Sequence, residues 1–349
     1  MLKFALVGCG RIAKKHAQLL GDNQIKNAKL VAVCDINIKK AKDLAQKYQV
    51  DYFDDIDKMM QNSDIDVVSI LTPSGLHAKH TLKIAQYKKH IVVEKPMALT
   101  LDDADKMIEA CDKNGIKLFV VKQNRYNLPV QKLHQAIEKK EFGKLVLGTV
   151  RVRWSRNQDY YNQDKWRGTW SLDGGVLTNQ ASHHIDLLEW MMGEVESVFA
   201  KSITALVDIE TEDTAVVTLK FKNGALGIIE ATTAVRPKDL EGSISILGQN
   251  GSVEIGGFAV NEIKHWNFIN QKSIDMDKYS TNPPDVYGFG HKRYYEEVIK
   301  SIQNNTKALV DGLEGKKSLE LIMAIYESIE TGKEVFLRFK PKKCRLGQL

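Results

Sequence analysis

Cysteine is scarce in this 349-residue chain, and the four present, Cys9, Cys34, Cys111 and Cys344, form no CxxC pair. That spacing argues against a disulfide framework and fits a reducing compartment. No apolar run is long enough to span a bilayer. The first strand-like stretch, Leu2 to Val7, is too short for a signal-peptide core and soon meets Arg11, Lys14 and Lys15. A cytoplasmic protein with no membrane partner is expected. Internal repeats, low-complexity tracts and flexible linkers are missing too, as are a Walker loop and a Ser/His/Asp nucleophile set. Nor is the charge one-sided: 50 Lys and Arg stand against 44 Asp and Glu, a net +6 spread along the chain. Only short basic groupings occur, such as the tail Lys340, Lys342, Lys343 and Arg345. Nucleic-acid binding needs a clustered basic face and is not expected. A mildly basic enzyme does suit an anionic substrate.

What is present is an ordinary globular balance, 43% hydrophobic and 27% charged, on a chain longer than one core usually organises. Two domains follow. Phe4-Ala5-Leu6-Val7 is a continuous apolar run, as in a strand buried on both faces. Similar runs end on Asp35, at Thr72-Pro73 and at Glu94-Lys95-Pro96, and a fifth covers 118–121. Amphipathic stretches at 37–48, 75–87 and 101–114 separate them. This alternation predicts an α/β, doubly wound parallel sheet over residues 1–122. The first turn reads Gly8-x-Gly10-x-x-Ala13. Glycine at 8 permits the tight turn, glycine at 10 admits a pyrophosphate, and Ala13 packs helix on strand. The following helix would present its N-terminal amides to the phosphates. Asp35, ending the second strand, would accept hydrogen bonds from the adenosine ribose. Its carboxylate would repel a 2′-phosphate and Ile36 offers no compensating charge, so NAD is favoured over NADP.

Beyond Val121 the pattern changes to alternation at 146–154, 214–221, 225–233, 242–247 and 252–255. Asn223-Gly224 and Asn250-Gly251 lie between such segments and signal hairpins. Helices are predicted at 130–140, 183–192, 291–304 and 315–331. Residues 123–349 therefore read as an α+β domain on a large, mostly antiparallel sheet with one polar face, used for substrate binding and self-association. An open sheet of that size usually covers its second face or edge, so a homo-oligomer, dimer or tetramer, is expected.

Glu94-Lys95-Pro96 ends a parallel strand, where open α/β sheets place ligands. Lys95 reads either as a solvated loop charge or as a proton donor or acceptor beside a bound nicotinamide. A glycine pair, Gly174-Gly175, leads into a helix carrying Asn179, His183 and Asp186, and Asn179 and His183 share a face if that helix starts early enough. His183 is a proton-transfer candidate or a buried, satisfied histidine. Adjacent His183 and His184 cannot share a helical face, so no metal site is expected. His77 and His80, three apart on a helix, read as helix surface. Arg151, Arg153 and Arg156, with Trp154, Tyr160 and Tyr161, form a basic aromatic segment; alternation puts the arginines on one face of one strand, which suits nucleic acid or, equally, a phosphorylated small molecule. Trp166-Arg167-Gly168-Thr169-Trp170 is either a core anchor or a ligand wall.

These motifs together with Gln123-x-Arg125, Thr72-Pro73-x-x-x-His77 and the Gly174–Asp186 block resemble the glucose–fructose oxidoreductase / inositol dehydrogenase (Gfo/Idh/MocA) family over nearly the whole chain. The resemblance implies an NAD-dependent oxidoreductase in which Lys95 and His183 work on a sugar hydroxyl. It implies cofactor contacts from Gly8, Gly10, Arg11, Ile12, Asp35, Thr72, Pro73, His77, Glu94, Lys95, Gln123, Trp166 and Arg167. On the substrate side it points to Lys95, Asn179 and His183, with Arg153, Arg156 and Arg167 as partners for a uronate or diphosphate. Two positions depart from the commonest family pattern: Asn179 stands where an aspartate is usual, and Ala181 replaces a glycine. Asparagine cannot take a proton, which leaves that work to Lys95 and His183. The run Thr178-Asn179-Gln180-x-x-His183-His184-x-Asp186 is similar to a branch that oxidises the 3-hydroxyl of UDP-N-acetylglucosaminuronate in bacterial surface-polysaccharide assembly. That branch implies a nucleotide-sugar substrate and, in some relatives, reoxidation of bound NADH by a 2-oxo acid. Another sugar or inositol dehydrogenase is the enzymatic alternative. A catalytically silent NAD(P)-binding regulator is the alternative of another class, and retention of both Lys95 and His183 argues against it.

Overall fold

The computed structural model describes residues 1–269, 274–281 and 288–337; the basic tail and Cys344 lie outside the described residues. The first part runs β1 (Leu2–Val7), α1 (Ala13–Gly21), β2 (Ala28–Cys34), α2 (Ile38–Tyr48), β3 (Asp51–Phe53) and α3 (Ile56–Asn62). It continues with β4 (Val67–Ile70), α4 (His77–Ala85), β5 (His90–Val93), α5 (Leu101–Lys113) and β6 (Leu118–Val120). The six strands are parallel in the order β3-β2-β1-β4-β5-β6. The order reverses between β1 and β4, and there the carboxyl ends open a crevice for a ligand. Five strands follow the apolar runs. β3 does not: it is a short edge strand with Tyr52 half-exposed, so it has no apolar run to announce it.

The second part contains α6 (Leu128–Glu138), β7 (Leu145–Arg153), α7 (Gln158–Asn162), α8 (Ser182–Met192), β8 (Val195–Ile203), β9 (Thr214–Phe221), β10 (Leu226–Thr232), β11 (Glu241–Gly248), β12 (Gly251–Gly256) and β13 (Glu262–Phe268). It closes with α9 (Gly290–Gln303), α10 (Gly312–Thr331) and β14 (Val335–Phe336). Eight strands form a sheet in the order β13-β12-β11-β7-β10-β9-β8-β14, antiparallel except for β7 with β10. Both Asn-Gly turns join antiparallel neighbours, β9 to β10 and β11 to β12. β8 and β13 carry no clean alternation because each pairs across a register shift, which breaks the two-residue period.

One face of this sheet packs Val150, Val152, Ile229 and Ile244 against Ile185 and Leu188 of α8 and Ile322 and Ile325 of α10. The expectation of a polar second face needs correction. Leu226, Ile228, Val216 and Phe199 are 56%, 38%, 52% and 38% exposed among its charged residues.

The chain then returns to the first sheet. Tyr294, Tyr295, Val298 and Ile299 of α9 share a core with Phe4, Leu6 and Phe119. The strand–helix alternation stops near residue 122, but the first core is completed by residues 294–299, more than 170 positions later.

Candidate active site

The turn after β1 is built for close approach. Gly8 has φ +97°, and a Cβ there would lie 2.8 Å from the Leu71 carbonyl; a Cβ on Gly10 would meet nothing within 4 Å. That open cradle at the head of α1 fits a pyrophosphate. Asp35 is fixed at the end of β2: its Oδ2 accepts the Cys9 N–H at 2.8 Å and its Oδ1 accepts the Asn37 N–H at 2.8 Å. The carboxylate keeps acceptor capacity for ribose hydroxyls, and Ile36 beside it is 94% exposed. Arg11 is exposed at the same turn, while Ile12 packs beneath it on the core. On the neighbouring strand end, half-buried Thr72 and Pro73 precede α4. His77 is not helix surface. Its ring is buried, with nitrogens 2.8 and 2.9 Å from the carbonyls of Pro96 and Thr72, so it ties the two strand ends together. His80, half-buried, reaches the Thr72 hydroxyl at 3.0 Å.

Lys95 follows β5 and is held from behind. Glu94 is buried, with Oε1 2.9 Å from His16 Nε2 and 3.8 Å from His291 Nε2, while Oε2 accepts the Lys95 N–H at 3.0 Å. Burial alone would raise the Glu94 carboxyl, but the hydrogen bonds and charge of His16 and His291 hold it well below the usual carboxylate range. His16 Nδ1 contacts the Tyr295 hydroxyl at 2.5 Å, and that hydroxyl lies 3.0 Å from Ser69 Oγ. His16, Glu94 and His291 place one potential metal-ligand atom each within 4.8 Å of one another. These contacts make the trio a brace for the Lys95 segment. Nothing in the sequence joins its members, which come from α1, the end of β5 and α9.

The Gly174–Asp186 block is less helical than its spacing predicts. Val176–Gln180 forms a wide π-helical turn, closed by the Ala181 N–H on the Val176 carbonyl at 2.8 Å, and α8 starts only at Ser182. Such turns aim backbone groups away from the helical ladder and recur at functional sites. Here the Asn179 carbonyl accepts from Lys95 Nζ, and Asn179 Nδ2 donates to Asp173 Oδ1. Lys95, Asn179 and His183 are all half-buried. Desolvation lowers the Lys95 pKa, helped by Lys122 and Arg167 and opposed by Glu94 and Asp173. Burial, then the charges of Lys95 and Lys122, pushes His183 well below the ordinary histidine value. His183 Nε2 lies 3.0 Å from the Gln123 amide nitrogen; with that nitrogen donating, the neutral ring carries its proton on Nδ1. Among the described residues Nδ1 has no hydrogen-bond partner. His184 points elsewhere, its buried ring 5.8 Å from that of Trp154.

The arginines divide. Arg153 lies on the sheet face away from α8, forked onto Glu230 at 2.6 and 2.7 Å and onto Glu241 at 3.2 Å, so the fold does not bring it to Lys95. Arg151 shares that face and Glu241, but Arg156 leaves the strand altogether, because β7 ends at Arg153. Arg156, Arg167 and Arg11 instead converge on the Tyr160 ring, 5.4, 4.6 and 5.5 Å from its centroid. The Tyr160 hydroxyl accepts from Arg167 at 2.7 Å and from Gln180 at 3.1 Å. Arg156 also bonds Asp239 at 2.9 Å, and Arg167 bonds Asp164 at 3.1 Å. Trp166, half-buried, lies under the Arg167 guanidinium at 4.6 Å, and Trp170 is 51% exposed, so this segment is no core anchor.

The family model for oxidoreductases with an NAD-binding Rossmann fold matches residues 2–122, and that for the family's C-terminal alpha/beta domain matches residues 134–337. The chain belongs to the Gfo/Idh/MocA oxidoreductase family. It is accordingly an NAD-dependent oxidoreductase acting on CH–OH groups. Its fold superimposes with a TM-score of 0.90 on the WlbA dehydrogenase from Bordetella pertussis, solved with NADH and UDP-GlcNAcA; the two are 41% identical over 97% of this chain and 99% of that one. The WlbA dehydrogenase from Chromobacterium violaceum, solved with the same two ligands, is 44% identical over 97% of each chain, again at a TM-score of 0.90. Among characterised sequences, myo-inositol 2-dehydrogenase from Thermotoga maritima is 29% identical over 96% of this chain and 98% of its own length. Among the described residues, no helix is long and apolar enough to cross a membrane.

Proposed function

We propose that this member of the family oxidises the 3-hydroxyl of a UDP-linked, N-acetylated uronic acid to the 3-keto sugar. The observation that carries the reading is the 41% and 44% identity, over 97% of the chain, to two dehydrogenases that bind UDP-GlcNAcA beside NADH. The site's own chemistry agrees with it. NAD, when bound, supplies the acceptor for the hydride that leaves C3. Lys95, its pKa lowered, takes the hydroxyl proton and becomes the ammonium. His183, neutral with the proton on Nδ1, donates to the oxygen as negative charge develops there. Asn179 orients a substrate hydroxyl beside the reacting one. Arg11, Arg156 and Arg167 around Tyr160 form a cationic, aromatic-walled ledge suited to diphosphate or uronate oxygens. The 3-keto product suits transamination at C3 during surface-polysaccharide assembly, and a 2-oxo acid is a fitting reoxidant for NADH held in place. A second copy covering the apolar centre of the open sheet face would remove Phe199, Val216, Leu226 and Ile228 from water; light scattering should give a dimer or tetramer, and a monomer at micromolar concentration would sink that part.

The test is NAD⁺ reduction against UDP-sugars and free polyols, with and without a 2-oxo acid. Turnover confined to the UDP-uronate supports the reading. Turnover with myo-inositol or another free polyol in its place overturns it. Lys95→Ala should lower kcat by about a thousandfold while NADH affinity stays within about twofold. Loss of NADH binding in that variant would make Lys95 a structural residue.

A further inference from the structure

Asp173 stands immediately before the Gly174-Gly175 pair and is 2% exposed. Its backbone is pinned, since the N–H groups of Asp173 and Gly174 both reach the Thr169 carbonyl, at 3.1 and 2.9 Å. Its carboxylate receives two neutral hydrogen bonds, from the Gly168 N–H at 2.9 Å onto Oδ2 and from Asn179 Nδ2 onto Oδ1. Among the described residues it has no ion-pair partner. A buried carboxylate without a cation in contact is costly, and in this fold it sits one side chain away from Lys95.

The contact with Asn179 decides more than packing. A carboxylate can only accept, so the Asn179 amide must turn its NH₂ toward Asp173 and its oxygen away. That oxygen accepts from Gln180 Nε2 at 3.2 Å and retains a second lone pair. The same residue's backbone carbonyl holds Lys95 Nζ. Asn179 therefore links Asp173 to Lys95 through one residue, with its side-chain acceptor left in a single orientation. We propose that Asp173 is a positioning residue of this site: it locks the Asn179 amide so that its oxygen accepts from a sugar hydroxyl beside the reacting one, and it supplies negative charge that stabilises the Lys95 ammonium formed when the reacting hydroxyl loses its proton.

The charged groups bearing on Lys95 are Glu94 and Asp173, which favour the ammonium, and Lys122 and Arg167, which oppose it. Asp173 itself is raised by burial and drawn down by Gly168, Asn179, Lys95 and Arg167. Buried Glu212 and Tyr161 also feel its charge. Removing the Asp173 charge should thus lower the Lys95 pKa, whereas a second carboxylate at position 179 should raise it.

The experiment compares Asp173→Asn, Asn179→Asp and the exchange Asp173→Asn/Asn179→Asp with the parent enzyme. Turnover with the UDP-uronate rests on the function proposed above. A second arm does not: the pH dependence of Lys95 acylation by acetic anhydride, read by peptide mass spectrometry, reports the amine whatever the substrate. The Lys95 midpoint should fall by about one unit in Asp173→Asn, rise by a similar amount in Asn179→Asp, and return to within about half a unit in the exchange. Where the UDP-uronate is turned over, each single variant should lose about tenfold or more in kcat, and the exchange should recover most of it. A midpoint that stays put, moves the same way in both single variants, or is not restored by the exchange overturns the proposal, and so does a kcat loss in the exchange equal to the product of the two single losses. Thermal melting and NADH affinity identify a misfolded variant; if Asp173→Asn is one, the opposite-signed shift in Asn179→Asp still decides. Absence of turnover in the parent enzyme, with the acylation shifts as stated, would discard the substrate and keep the role of Asp173.

Discussion

Two buried charge clusters meet near the start of α8, and they are finished differently. Around Asp186 the carboxylate and the two cations pair directly. Arg125 forks onto its carboxylate at 2.7 and 2.8 Å, Lys122 lies 3.4 Å away, and Arg125 reaches on to Glu314 at 3.0 Å. Lys122 Nζ also donates to Ser318 at 2.6 Å, and the Arg125 guanidinium lies 4.8 Å from the Trp190 centroid. Asp186 is held at about 2: burial works to raise it, and Arg125 and Lys122 prevail. Around Lys95 the pairing stops short. Among the described residues Asp173 has neutral donors only, Lys95 holds a carbonyl, and His183 Nδ1 has no partner. A closed cluster locks elements together, whereas the capacity left over in an open one is available to a ligand.

The sharpest way to break the contrast is Asp186→Asn. It leaves buried Lys122 without a carboxylate and Arg125 with Glu314 alone, and should cost about 3–5 kcal/mol of stability, read by urea denaturation. A loss below about 1 kcal/mol would mean that water reaches the cluster and that it is not closed. Next comes Glu212, whose Oε1 accepts the Leu177 N–H and the Tyr326 hydroxyl, both at 3.0 Å, and whose carboxyl burial pushes up to about 7. A folded-state pKa raised above the ordinary carboxyl value stabilises fully below that ordinary value, and the contribution fades as pH rises through about 7. Melting at pH 8 should therefore be higher in Glu212→Gln than in the parent, by on the order of 1–3 kcal/mol, with the advantage gone near pH 4.5. An equal gap at both pH values would remove Glu212 from the open region's electrostatics. The smallest effect belongs to Tyr160→Phe, which keeps the ring beneath Arg11, Arg156 and Arg167 but loses the hydroxyl that accepts from Arg167 and Gln180. KM for the sugar nucleotide should rise about three- to tenfold with kcat nearly unchanged, since one charge-assisted hydrogen bond is removed. A fall in kcat of similar size would place Tyr160 with the reacting groups.

The same contrast explains what the sequence makes legible. Apolar runs that stop on glycine, aspartate or lysine declare the parallel strands and their ligand-bearing ends, because burial on both faces leaves no alternative composition. Asp35 and Lys95 stand out for that reason. Asp173 does not, since an aspartate before two glycines reads as an ordinary turn and its meaning comes from Asn179. The arginines of β7 fall on one face by alternation, yet alternation cannot say which face the helices cover, and Arg153 lies on the other. His77 looks like helix surface until the Pro96 carbonyl closes over it. β3, β8 and β13 escape notice because an exposed edge or a register shift erases the period that marks a strand.

The brace behind Lys95 bears on the order in which the protein is made. Its parts lie far apart in sequence, with His16 and the tyrosine that anchors it separated by 279 positions. A nascent chain that has just released the first six strands carries the dinucleotide turn and the lysine, but not the helix that supplies His291 and Tyr295. Synthesis has to run through α9 before Glu94 gains His291 and His16 gains Tyr295. A ribosome that stalls halfway thus leaves a fragment with the binding loop of an oxidoreductase and an unbraced lysine, so the completed brace marks a chain made at least through α9.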